Sequence, residues 1–322
     1  MAGKVDGGSA CGIVAPFAGH HAHGCGLGPP ALAGTFRGNV PASPRFRLTS
    51  EQRSGDTLRK GGRQSVTVWE NFMDDTQQRK VAFVTGASSG IGKATAAAFV
   101  AKGYATVLVD REEAAGRAAE AELRQQGECM FIVCDVTDDA AVERTVAQAV
   151  ATYGRLDAVF NAAGIDGEKG KRTADCSMEN WHRVLAVDLT GVWHCMRHQI
   201  PQIVASGGGS IVNCASTAGI AGAATFAAYC AAKHGVVGLT KAAALEYARA
   251  GIRVNAVCPG MIDTPMTQGL APDLLKPLLE ASPTGRMGKP EEIANAVLWL
   301  CEDGAGYVTG QTIAVDGGWT SQ

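Results

Sequence analysis

The chain has no C-x-x-C pair among its 10 cysteines, which lie scattered through apolar stretches. That is the usage of a protein whose thiols stay reduced in the cytosol, so a cytoplasmic location is expected. It has no apolar run as long as a bilayer span, so no membrane-crossing helix is expected. An excess of positive charge is also missing. Residues 1–72 carry 8 Lys and Arg against 4 Asp and Glu, a net of +4, and the remainder carries 21 against 27, a net of −6. A mildly acidic body makes nucleic acid a poor partner. What is present is the material of a water-soluble globular protein: 322 residues, 46% hydrophobic and 19% charged, enough apolar surface for a large α/β core.

Periodicity is missing from the first 72 residues. Gly, Ala, Pro, Ser and Arg dominate there, and nothing in the segment could bury a core. Residues 1–72 are therefore expected to be a disordered leader, and residues 73–322 the single folded domain. The run GHHAHGC offers His20, His21, His23 and Cys25 as metal ligands, but a closed site needs spaced ligands and an ordered surround, and no metal is expected. The apolar stretch from Ala10 to Ala18 could pass for a signal core, were it not for Asp6 and the glycines around it. Translation from Met73 is the simpler expectation, with MDDTQQRK preceding the first strand by a few polar residues.

From Val81, the run VAFVTGASSGIGKATAAAFVAKG reads as a buried strand, a glycine-rich turn and an apolar-faced helix. Gly86, Gly90 and Gly92 give G-x-x-x-G-x-G. A side chain at these positions would hold the backbone away from a pyrophosphate, which the N–H groups and dipole of the following helix attract. The next strand, ATVLVD, ends at Asp110, eighteen residues after Gly92. That is about where a dinucleotide-binding fold places the carboxylate that takes the adenosine ribose hydroxyls. Such a carboxylate repels a 2′-phosphate, whereas Arg111 could pair with one; NAD is expected in preference to NADP. FIVCDVTD puts Asp135 and Val136 at a further strand end, suited to an adenine edge and face, and LDAVFNAAG puts Asn161, Ala162, Ala163 and Gly164 at the next. A lone Asp or Asn after a strand is usually a turn former, but here four strand ends in order carry suitable residues. The fold class implied is α/β, a doubly wound parallel sheet of the Rossmann type in a single domain.

Tyr229 precedes Lys233 by four residues in YCAAK, and Ser216 lies thirteen residues before the tyrosine. A phenol, with a reference pKa of about 10, is a poor base at neutral pH unless positive charge favours the phenolate. On a helix Lys233 would share a face with Tyr229 and supply that charge. By itself Y-x-x-x-K is common and often no more than a surface tyrosine beside a solvated lysine. Behind a nucleotide-binding half it reads as an alcohol/ketone redox site.

With these motifs in order, residues 81 to 319 resemble a short-chain dehydrogenase/reductase of the single-domain type. TGASSGIG is similar to the family's cofactor turn, which implies contacts from Ser88, Ser89 and Ile91 as well as the glycines. NADP-preferring relatives often carry a basic residue where Ser89 stands. NAAG is similar to the family's sheet-stabilising motif, and Ser216, Tyr229 and Lys233 to its catalytic residues. RVNAVCPG resembles its sixth strand and turn, implying that Pro259, Gly260, Ile262 and Thr264 meet the nicotinamide end. PTGRMGKPEEIA and YVTGQTIAVDGG resemble its C-terminal helix and last strand, which pack subunits together in relatives and imply a homotetramer or homodimer. The resemblance implies hydride transfer between NAD and a secondary alcohol or ketone, with Tyr229 as acid/base, Ser216 orienting the oxygen, and Lys233 lowering the phenol pKa and holding the ribose. The family usually has Asn where VDLTGV places Asp188; Asp188 is expected to join the catalytic set by supporting a water chain, chiefly through its backbone carbonyl. A reductase of 3-oxoacyl thioesters using NADPH shares every motif, and a catalytically silent nucleotide sensor would not need the intact trio. A sugar, a cyclic diol, a steroid and a hydroxyacyl chain all remain open as substrates, because the loops after Gly164, from Gly219 to Phe226 and after Thr264 set the pocket walls.

Other features have plain readings. His194 and His198 stand at zinc-like i, i+4 spacing but without a third ligand in register, and are expected to serve helix packing or a subunit contact. Trp181, Trp193 and Trp299 are expected in core or interface. Asp316 before Gly317 and Gly318 reads as a structural turn. Leu270, Leu274, Leu275, Leu278 and Leu279 form a helical stripe suited to core or to a lid over an apolar substrate.

Overall fold

The computed structural model describes residues 79–268, 275–276, 279–280 and 282–321. The expected leader, its His20 to Cys25 cluster and Met73 lie outside the described residues, as do Leu270, Leu274 and Leu278 of the leucine stripe.

The strands are β1 (Val81–Thr85), β2 (Ala105–Asp110), β3 (Cys129–Val133), β4 (Ala158–Asn161), β5 (Gly209–Cys214), β6 (Ile252–Pro259) and β7 (Thr312–Val315). They form one parallel sheet in the order β3-β2-β1-β4-β5-β6-β7. The connecting helices are α1 (Gly90–Ala101), α2 (Glu113–Leu123), α3 (Asp139–Tyr153), α4 (Met178–Leu185), α5 (Gly191–Ala205), α6 (Ala227–Tyr247) and α7 (Pro290–Cys301). This is the expected doubly wound α/β fold.

The inner strands read as unbroken apolar runs because both faces are covered. Val81, Phe83, Val107, Val159, Ile211 and Val254 share one buried cluster with Val146 of α3, Ile203 of α5 and Val236 of α6. The alternate residues Ala82, Val84, Leu108, Phe160, Val212 and Val257 share a second with Phe99 of α1 and with Ile293 and Leu300 of α7. Each large side chain so buried contributes about 2–3 kcal/mol.

After β3 the chain crosses to β4 on the far side of β1, so successive connections diverge from the two sides of β1 and open a crevice at the strands' carboxyl ends. Thr85 pairs with Asn161 in the sheet, setting the turn after β1 level with the loop after β4. Between α4 and α5 the helix widens into a π-turn, Ala186–Thr190, with Asp188 at its centre. Such widened turns recur at functional sites.

His194 places Nδ1 2.9 Å from the Val136 carbonyl, and His198 places Nε2 2.8 Å from Asp139 Oδ1. The two rings thus tie α5 to different parts of the β3–α3 region. Trp181 packs beside Val184 and Ala228, whereas Trp193 and Trp299 remain nearly half exposed. Asp316 forms the expected turn, accepting N–H bonds from Gly318 and Thr320 at 2.9 Å each. No helix among the described residues is long and apolar enough to cross a membrane.

Candidate active site

A cleft of about 320 Å³ opens at the carboxyl end of the sheet. The turn after β1 contributes Gly86, Ser88, Ser89, Gly90, Ile91 and Gly92 to its wall. Asp110 and Arg111 enter from the end of β2, Asp135 and Val136 from β3, and Ala162, Ala163 and Gly164 from β4. Pro259, Gly260, Ile262 and Thr264 follow β6, and Asp188, Ser216, Tyr229 and Lys233 complete the cleft. Of the residues expected at the site, Asn161 alone is not part of this wall. Its side chain is buried in the sheet, donating to Asn213 Oδ1 at 3.0 Å and exchanging bonds with Gln199.

The first turn is shaped to approach a phosphate. Gly86 has φ +66°, and a Cβ there would lie 3.0 Å from the Ala162 backbone; a Cβ on Gly92 would strike the Gly86 carbonyl at 2.0 Å. Ser89 precedes α1 without a side-chain bond to the helix N–H groups, and the first turn contains no acidic residue. These N–H groups and the positive end of the helix dipole are thus left for an anion. Thr85 Oγ1 accepts from the N–H groups of Ala162 and Ala163 at 2.9 and 3.1 Å, fixing the opposite wall. The bare turn, the unspent helix terminus and the carboxylate at the end of β2 together fit a dinucleotide.

That carboxylate is held rigidly. Asp110 Oδ2 accepts from Ser88 Oγ at 2.6 Å and Ser88 N at 3.1 Å, while Oδ1 accepts from Glu112 N at 3.1 Å. Arg111 is engaged with Glu112, Nε to Oε1 at 3.1 Å, and Glu112 itself lines the cleft. Residue-by-residue reading missed Glu112, although its position directly after Asp110 and Arg111 is a legible charge pattern. It also missed Ile165, Val187 and Met266, which make part of the wall apolar; no spacing in the sequence singles these out.

Tyr229 and Lys233 both lie on α6, with Lys233 Nζ 5.4 Å from the centre of the phenol ring. Lys233 is almost fully buried and donates to the Cys214 carbonyl at 3.0 Å. Asp188, wholly buried, accepts the Ile165 N–H on Oδ1 at 2.9 Å and sets Oδ2 3.3 Å from Lys233 Nζ. The Oδ2 contact is a buried ion pair. Ser216 Oγ accepts from Ala218 N at 3.1 Å, which leaves its O–H to donate.

The electrostatics depart from the simplest expectation. Burial pushes the Tyr229 phenol up to about 12; Lys233 pulls it down, Asp188 and Cys214 add to the rise, and the Ser216 hydroxyl opposes it. Lys233 thus acts in the expected direction without prevailing. Burial by itself would lower the Lys233 pKa, but Asp188, helped by Tyr229 and Cys214, holds it above the ordinary lysine value. Burial raises the Asp188 carboxyl, while Lys233 and the Ile165 N–H pull it back.

Residues 86–320 match the family model described as enoyl-(acyl carrier protein) reductase. The chain is 42% identical over 254 residues to a cyclohexanol dehydrogenase of Acinetobacter sp. (strain SE19), covering 79% of this chain and 100% of that protein. It is also 42% identical over 250 residues to a cis-4-hydroxycyclohexanecarboxylate dehydrogenase of Sinomonas cyclohexanicum, covering 77% and 100%. Among solved structures, levodione reductase superposes with a TM-score of 0.73 at 36% identity, covering 75% of this chain and 98% of that one.

Proposed function

Because the chain belongs to the short-chain dehydrogenase/reductase family and is an NAD(P)-dependent oxidoreductase of secondary alcohols and ketones, we propose that it uses NAD and acts on a cyclic, largely apolar alcohol or its ketone. The observation that carries the cofactor choice is the Asp110 carboxylate, fixed at the cleft wall by Ser88 and the Glu112 N–H, with Arg111 turned to Glu112. Two carboxylates there repel a 2′-phosphate, and the Arg111 guanidinium is engaged with Glu112. The substrate class is supported by the apolar wall of Ile165, Val187, Ile262 and Met266, and by relatives named for six-membered-ring alcohols.

In this reading the bound nicotinamide supplies the hydride acceptor or donor, and the chain manages the substrate oxygen. Tyr229 gives its proton to the ketone oxygen or takes one from the alcohol. Ser216, with its oxygen already occupied by the Ala218 N–H, donates to the same substrate oxygen and steadies its developing charge. Lys233 stands over the phenol ring as a cation. We assign Gly86, Ser88, Ser89, Gly90, Ile91 and Gly92 to the pyrophosphate side, Asp135 and Val136 to the adenine, and Pro259, Gly260, Ile262 and Thr264 to the nicotinamide end. The eight cysteines of the described residues are free thiols, which supports a cytoplasmic location. The half-exposed Trp299 on α7 supports assembly through that helix into a dimer or tetramer.

A relative named 3-oxoacyl-[acyl-carrier-protein] reductase, of Thermotoga maritima and 41% identical over 242 residues, supports a second reading, reduction of 3-oxoacyl thioesters with NADPH. A panel of cyclic alcohols, their ketones and 3-oxoacyl thioesters, assayed with NAD(H) and NADP(H) by absorbance of the reduced cofactor, separates the two. Cyclic substrates with NAD(H) should dominate; thioester turnover with NADPH as the fastest reaction would replace the first reading by the second. Tyr229→Phe should lower turnover at least about a hundredfold with nearly unchanged cofactor binding. Retention of more than about a tenth of the activity would remove Tyr229 from the mechanism.

A further inference from the structure

The Asp188 carboxylate performs more than a packing task. Its Oδ1 already satisfies the Ile165 N–H, a bond the oxygen of an asparagine would make equally well. The second oxygen is wholly buried and faces Lys233 Nζ at 3.3 Å. The loop from β4 closes directly over the pair: a Cβ on Gly164 would lie 3.1 Å from Oδ2 and 3.4 Å from Nζ. What distinguishes Asp from its neutral isostere here is charge, delivered to a lysine that lies over the Tyr229 ring.

We propose that Asp188 is a positioning residue that acts through Lys233: it balances the buried ammonium, withholds part of its positive charge from Tyr229, and so keeps the tyrosine a proton donor rather than a resident phenolate. This deepens, and rests on, the reading of Tyr229 as acid/base. The Coulomb argument is direct. An unpaired ammonium beside a phenol favours the phenolate, but a carboxylate on that ammonium leaves a nearly neutral pair whose field at the ring is much weaker. The remaining charged or titratable groups around the pair act in both senses. Cys214, on β5, adds to the rise of the phenol, while Asp166, in the loop after β4, adds to the rise that burial imposes on the Asp188 carboxyl and is opposed there by Lys233 and the Ile165 N–H. Ser216, just after β5, is the neutral neighbour that favours the phenolate. Burial is the largest cause that holds the phenol near 12, and Asp188 adds to that rise against Lys233. Ketone reduction, in which Tyr229 gives its O–H proton to the substrate oxygen, then persists to alkaline pH, whereas alcohol oxidation, which needs the phenolate, requires an alkaline medium.

The test reads Tyr229 itself and needs neither substrate nor cofactor. Phenolate absorbance is followed on the full chain after rapid pH jumps, and the Tyr229→Phe trace is subtracted to isolate the one ring. In the wild type the midpoint should lie above the ordinary tyrosine value of about 10. In Asp188→Asn, with Asp188→Asn/Tyr229→Phe as its blank, it should fall by about one pH unit or more. Asp188→Ala serves the same purpose should the Asn variant fail to fold. A wild-type midpoint below about 10, or a variant midpoint that is unmoved or rises, overturns the proposal. A residue that only packs would change melting temperature and leave this midpoint where it was. Failure of the acid/base reading would appear separately, as Tyr229→Phe turnover close to wild type.

Discussion

Asp110 illustrates how one side chain acquires a function from its neighbours. Position after a strand is compatible with a turn former, but Ser88 binds one oxygen and the Glu112 N–H the other, so the carboxylate is locked at the cleft wall. Charge-assisted bonds of this kind contribute about 1.5–3 kcal/mol each. Asp110→Ala should therefore weaken NAD use by about tenfold or more while sparing NADP, because repulsion of the 2′-phosphate also falls. Paired kinetics with both cofactors measure the ratio; an unchanged ratio would show that Asp110 does not meet the ribose. Lys233 was legible as the helical neighbour of Tyr229, since four residues on a helix make one face. Its partnership with Asp188 was not, because the two stand forty-five positions apart with α5 and β5 between them, and only packing brings them to 3.3 Å.

At the scale of elements, the helix-entry chemistry is local and therefore readable. The G-x-x-x-G-x-G turn leads into α1 as its spacing implies, and α7 begins at Pro290 behind a charged clasp. Glu292 accepts from both Arg286 guanidinium nitrogens, at 2.9 and 2.8 Å, and from the Lys289 N–H at 2.7 Å. The Arg286 bonds, then the Lys289 N–H, lower its pKa from 4.5 to about 2. A folded pKa below the unfolded one gives stability that is present above the unfolded value and lost as pH falls through the folded one. Glu292→Gln should accordingly melt below wild type at neutral pH, with the gap closing as pH falls from about 5 to about 2. Thermal melts across that range decide it, and a gap independent of pH would assign the loss to packing instead. The π-turn at Ala186–Thr190 shows the opposite case. VDLTGV holds mostly weak helix formers, but nothing in it specifies the widening that centres Asp188 in the cleft.

For the molecule as a whole, composition predicts that a chain shortened to begin at Met73 keeps the melting temperature and turnover of the full chain, since the preceding sequence is rich in Gly, Ala, Pro and Ser and lacks helical or strand periodicity. Side-by-side melts and assays check this, and a clear loss in the short form would mean that the leader packs against the domain. The sequence by itself determined the doubly wound parallel sheet and the crevice at its carboxyl edge. Buried strands alternating with amphipathic helices, glycines before α1 and polar residues at strand ends are local patterns, and right-handed crossovers leave few ways to join them. Tertiary structure alone decided the electrostatic character of the site. Asn161 turned into the sheet toward Asn213 and Gln199, Ile165 and Val187 became cleft wall, and burial outweighed Lys233 at the Tyr229 phenol. Desolvation and charge pairing depend on what surrounds a group in three dimensions, and residues distant along the chain supply those surroundings.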